Sequence, residues 1–140
     1  MTIGQLARES GVRTDTIRYY ETLKLIEPVS RTNAGYRLYD VSSKNRVAFI
    51  KKAKSLGFKL SEIQVLIKIK TSKKGKAEEM LNLTNEKIAE AQKKIEDLIT
   101  MKRTLKNLAS ECPGGDFPAS ECPILNYLYS DKTTEGGAND

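Results

Sequence analysis

The chain has 140 residues, with 39% hydrophobic and 30% charged, the balance of one compact folded domain or a small domain carrying an extended helix. No apolar run approaches the roughly 18 residues a membrane span needs, and MTIGQLARES lacks signal-peptide features, so a cytoplasmic address is expected. Histidine is absent, which removes Ser-His-Asp and Cys-His catalysis together with every imidazole metal ligand; an enzyme is not expected.

Charge is unevenly placed. Residues 1–70 carry 14 Lys and Arg against 6 Asp and Glu, a net of +8, whereas residues 71–140 carry 10 against 12, a net of −2. A basic first half suits a polyanionic partner, although charge alone is equally consistent with a solvated surface.

The elements support the partner. Ile3, Leu6 and Ala7 follow an i, i+3, i+4 rhythm, so a short helix capped by Thr2 is predicted from Ile3 to Glu9 and ended by Ser10-Gly11. Arg13 or Thr14 opens a second helix through Leu23, completing a helix-turn-helix pattern. Its second helix would enter the major groove, with Arg13, Thr16, Arg18, Tyr19 and Tyr20 as candidate DNA contacts. Alternating residues around Asn33-Ala34-Gly35 predict a hairpin, or wing, in which Arg31, Tyr36 and Arg37 grip the backbone. Ser42 or Ser43 is expected to cap a third helix through Leu56, with Phe49, Ile50, Ala53 and Leu56 facing the core. Gly57 stops it, and a fourth helix starts at Leu60 with Ser61 as the predicted cap.

The strings Ile17-Arg18-Tyr19-Tyr20-Glu21, Asn33-Ala34-Gly35-Tyr36-Arg37-Leu38-Tyr39 and Leu56-Gly57-Phe58-Lys59-Leu60-Ser61-Glu62-Ile63 together resemble the MerR family of transcription regulators. The resemblance covers about the first seventy residues. It implies a mainly α fold: a winged helix-turn-helix DNA-binding domain followed by a long dimerisation helix. It also implies a homodimer on a palindromic promoter operator. That dimer would bend and untwist an overlong spacer so that RNA polymerase can use both promoter elements. Arg18, Tyr19, Arg31, Tyr36 and Arg37 are the DNA contacts it implies.

Five segments are expected: the DNA-binding domain 1–70, a polar hinge 71–75, a long helix 76–109, a loop with a short helix 110–130, and a flexible tail 131–140. The long helix carries a three-four seam of Leu81, Thr84, Ile88, Ala91, Ile95, Leu98, Lys102, Leu105 and Ala109. A stripe of this length has too little domain to bury it, so pairing with a second copy is predicted. The family resemblance implies an antiparallel coiled coil.

Both cysteines, Cys112 and Cys122, lie beyond that helix, each followed by proline. Ile124 to Tyr129 suggests a short apolar helix covering the loop. Two thiolates suit soft ions, and linear coordination by two sulfurs satisfies Cu(I), Ag(I), Au(I) or Hg(II). Zn(II) would require additional ligands from Glu111, Asp116, Glu121, water or a partner chain. A thiol-oxidation sensor and a cytosolic metal buffer are the rival readings of the same pair. The loop also resembles the C-terminal metal-binding loop of the metal-sensing MerR branch, the copper-efflux regulators included, which implies Cys112 and Cys122 as the ligands. Copper regulators usually carry a shorter loop. Sensors of divalent Hg, Zn, Cd and Pb generally carry a third cysteine near the start of the long helix, where Ala77 stands here. A monovalent ion, Cu(I), Ag(I) or Au(I), is therefore favoured, with Hg(II), Zn(II) or Cd(II) as alternatives.

Overall fold

The computed structural model describes residues 1–130; the expected tail, 131–140, lies outside the described residues. The fold is mainly helical, as expected, with six α-helices and one two-stranded antiparallel sheet among the described residues. The chain divides into two compact units, Met1–Ile88 and a second that begins at Ala89.

In the first unit, α1 (Ile3–Ser10) opens on a reciprocal cap. The Thr2 hydroxyl accepts from the Gln5 backbone N–H at 3.2 Å, and the Gln5 side chain accepts from the Thr2 N–H at 2.8 Å. Gly11, at φ +69°, ends it in the left-handed conformation. Helix α2 (Thr14–Thr22) follows after three residues, Gly11 to Arg13, the last of them in extended conformation.

Strands β1 (Ser30–Arg31) and β2 (Arg37–Leu38) form the wing, with Ser30 opposite Leu38 and Arg31 opposite Arg37. An isolated bridge from Leu38 to Thr2 joins the wing to the start of the chain. Helix α3 (Val41–Ser55) is capped by Asp40, whose carboxylate accepts from the Ser43 N–H, and not by either serine. Helix α4 (Leu60–Thr71) starts after Lys59, so Ser61 sits inside the helix and is not its cap; the Glu62 carboxylate accepts from the Lys59 N–H at 2.8 Å.

The core gathers Leu6 and Ala7 of α1, Ile17 and Tyr20 of α2, Leu25, Ile26 and Tyr39 from the connections, Val47, Ile50 and Ala53 of α3, Phe58, and Ile63 and Leu66 of α4. Leu56 does not join them: it is 71% exposed, because α3 ends one residue before it. Gly75 closes the link after α4. Its N–H reaches the Ser72 carbonyl, and a Cβ there would collide with the Ile69 carbonyl oxygen, so the position requires glycine.

Helix α5 runs Ala77–Glu111. Its first turns belong to the first unit: Met80 and Leu83 pack on the core, and Lys87 meets Glu62 at 2.7 Å while lying 5.3 Å from the Phe58 ring centre. The second unit holds the rest of α5, a 3₁₀ turn (Ala119–Glu121) and α6 (Pro123–Tyr129), whose first residue is a proline suited to that position. Among the described residues no helix is long and apolar enough to cross a membrane.

Candidate nucleic-acid interface and thiol pair

Helix α2 and the wing carry the residues expected to meet DNA, and local folding sorts them. Along α2, Ile17 and Tyr20 are three apart and share the inward face, so the neighbouring Tyr19 is exposed. Tyr20 is 3% exposed, and burial raises its phenol pKa. It packs the core and is not placed to touch DNA, which corrects the expectation from its position in the motif.

The other candidates reach solvent or its edge. Arg13 and Arg18 both approach Asp15, at 3.9 and 3.0 Å. Thr16 is half-buried in the first turn of α2. In the wing, the Arg31 guanidinium donates to the Gly35 carbonyl at 3.0 Å and so braces the turn, which leaves Tyr36 at its tip 72% exposed. Arg37 is paired with Glu21, Nε to Oε2 at 3.1 Å. Sequence reasoning missed Glu21, because no periodicity connects a helix residue to a strand residue sixteen positions on.

In the second unit, the 3₁₀ turn and the start of α6 bring Cys122 back to Cys112. The two sulfurs are 3.8 Å apart, both half-buried and both free thiols. The Cys122 pKa lies below its ordinary value of 9.0. The backbone N–H of Leu125 contributes most; the N–H of Ile124 and the Cys112 thiol act in the same direction, and partial desolvation opposes them. Thiolate, the metal-binding and nucleophilic form, is thus favoured at this position. Two metal–sulfur bonds of about 2.3 Å span about 4.6 Å when collinear, so sulfurs 3.8 Å apart can share a soft ion with the bonds bent, and must separate to hold it linearly. No group of three or more His, Cys, Asp or Glu suited to a metal occurs among the described residues, so Glu111, Asp116 and Glu121 do not complete a site with the cysteines.

Beyond the thiols, α5 has no buried residue. Of its expected seam, Leu81, Ile88, Ile95, Leu98 and Leu105 are each more than half exposed.

The chain matches the family described as MerR HTH family regulatory protein over residues 1–69, and the family described as MerR, DNA binding over residues 45–108. It is 42% identical to the mercuric resistance operon regulatory protein of Bacillus cereus, over 90% of this chain and 95% of that protein. Among solved structures, it resembles the transcription regulator PbrR691 of Ralstonia metallidurans CH34 in complex with lead(II), with a TM-score of 0.79 and 30% identity over 91% and 98% of the two chains. It also resembles the dual-function regulator MerR of Bacillus megaterium MB1 in complex with mercury(II), with a TM-score of 0.67 and 36% identity over 89% and 95%.

Proposed function

Because the chain belongs to the MerR family of helix-turn-helix regulatory proteins, a family of DNA-binding transcription regulators and not of enzymes, we propose that it switches a promoter in response to a thiophilic metal ion held by Cys112 and Cys122. The single observation that carries this is the pair of half-buried thiols 3.8 Å apart, on a chain whose relatives are named for mercuric resistance or were solved with lead(II) or mercury(II).

On this reading Arg13, Thr16, Arg18 and Tyr19 of α2 face the major groove of a palindromic operator, while Arg31, Tyr36 and Arg37 of the wing hold its backbone. The exposed stripe of α5 pairs with a second copy in an antiparallel coiled coil. The protein occupies the promoter with and without metal. The bound ion favours the dimer state it binds better, which distorts the spacer DNA for RNA polymerase. Ligation needs deprotonated sulfur, so it releases protons and weakens at low pH. The address is the cytoplasm.

Among the described residues no group of three or more His, Cys, Asp or Glu suited to a metal occurs, and two thiolates on their own suit a two-coordinate soft ion. Cu(I), Ag(I) or Au(I) is the first assignment. Hg(II), which also accepts two sulfurs, is the second, supported by the identity to the mercuric regulator. Transcription from the cognate promoter, compared across Cu(I), Ag(I), Zn(II), Cd(II) and Hg(II), separates them. Cys112→Ser is expected to keep the operator footprint and lose metal induction; wild-type induction in that variant refutes the sensor assignment. Response to mild oxidation without metal would instead make the pair a redox sensor. A chain with no footprint would be a metal buffer.

A further inference from the structure

We propose that Glu21 is a positioning residue for DNA binding: from α2 its carboxylate holds the Arg37 guanidinium of the wing where that cation meets the DNA backbone. The inference deepens the reading of α2 and the wing as a DNA face, and rests on it.

Three observations carry it. The first is the pairing itself. Arg18 is held by Asp15, three residues earlier on the same helix, and Arg31 by the Gly35 carbonyl within its own turn. Arg37, by contrast, is held across elements, by a carboxylate of α2 at 3.1 Å. The second is the contrast in burial. The Glu21 side chain is 13% exposed and Arg37 is 40% exposed, so the acid is screened from a polyanion while the cation still reaches solvent. A guanidinium has five donors, and one carboxylate oxygen on its Nε leaves others for a phosphate.

The third is the unpartnered atom. The second carboxylate oxygen of Glu21, Oε1, is buried without a hydrogen-bond partner. A carboxylate half-satisfied in a nearly dry place is a poor device for stability, because desolvation offsets the attraction within the pair. Orientation of Arg37 is what it supplies. An arginine on a two-residue strand has many rotamers; the anchored one loses less freedom when it engages a phosphate.

The test measures affinity for operator and for a scrambled duplex across a salt series, using the full chain and the variants Glu21→Ala, Arg37→Ala and the double. Each single variant is expected to lose about tenfold on both duplexes, with the slope of log affinity against log salt falling by about one. The double variant should lose no more than Arg37→Ala alone. Additive losses, or an unchanged slope in Glu21→Ala, overturn the proposal. If Glu21→Ala does not fold, as judged by circular dichroism, Glu21→Gln replaces it and should shift both quantities in the same direction by less; no shift overturns the proposal. A wild-type chain that binds neither duplex refutes the DNA-face reading, and the proposal falls with it. Normal wild-type binding with unaffected variants refutes the proposal alone.

Discussion

The two units treat their apolar residues in opposite ways. Residues 1–88 bury Leu6, Ile17, Val47, Ile50 and Ile63 completely and complete that core with the first turns of α5. From Ala89 onward no described residue is buried, although Ile95, Leu98, Met101 and Leu105 recur at helical spacing. The first unit buries its own apolar residues, and the second leaves them exposed. Among the described residues the apolar stripe of α5 stays exposed, and a three-four repeat suits another helix of its own kind.

The largest effect should come from breaking that asymmetry. Replacing Ile95 and Leu98 together by Glu places charge on the stripe without touching the first core. Sedimentation is expected to show single chains, and operator affinity should fall by at least about a hundredfold as two half-sites are no longer bound together. The thermal unfolding of the first unit should stay put. A variant that remains dimeric would remove the second copy from its assigned place.

Next in size is the reverse experiment. Ile17→Ala cuts a side chain with no exposed surface at the centre of the first core and is expected to cost about 2–5 kcal/mol in denaturant unfolding. Alkylation rates of Cys112 and Cys122 in the folded protein should not change. Parallel changes in both readouts would mean that the two regions do not unfold separately.

What the sequence made legible follows the same division. Local signals were readable: the Thr2 cap, the glycine stops at 11 and 57, the wing turn and the unbroken run of α5. The rhythm that points Leu56 inward runs past the true end of α3; the inward row is Ser43, Val47 and Ile50, which begins a turn earlier. Two adjacent serines mask Asp40 as a cap, yet it is the carboxylate that reaches the Ser43 N–H. Tyr20 could have been separated from Tyr19 by its three-residue spacing from Ile17. The Glu21–Arg37 and Glu62–Lys87 pairs join residues with no shared period, and only packing brings them together. Spacing alone likewise made the cysteines a pair but not neighbours at 3.8 Å.

The smallest effect concerns acid, and it too belongs to one region. Asp40 is held below its ordinary value of 3.8, chiefly by the Ser42 hydroxyl at 2.5 Å and further by the N–H groups of Ser43 and Ser42, with desolvation opposing. Glu62 is also lowered, first by the Lys59 N–H and then by Lys87. A carboxyl whose folded pKa is depressed stabilises the fold above its unfolded value and loses that contribution as pH falls through the folded one. The first unit should therefore weaken below about pH 4. Asn caps a helix as well as Asp does, so Asp40→Asn should leave the melting temperature at pH 7 nearly unchanged and flatten its fall between about pH 4 and 2. Wild type and variant then separate in acid, the variant melting higher, because only wild type loses the contribution of the Asp40 charge. The slope that persists in the variant reports the remaining carboxylates, Glu62 among them. Parallel melting curves across that range would show that the Asp40 charge contributes nothing beyond its hydrogen bond.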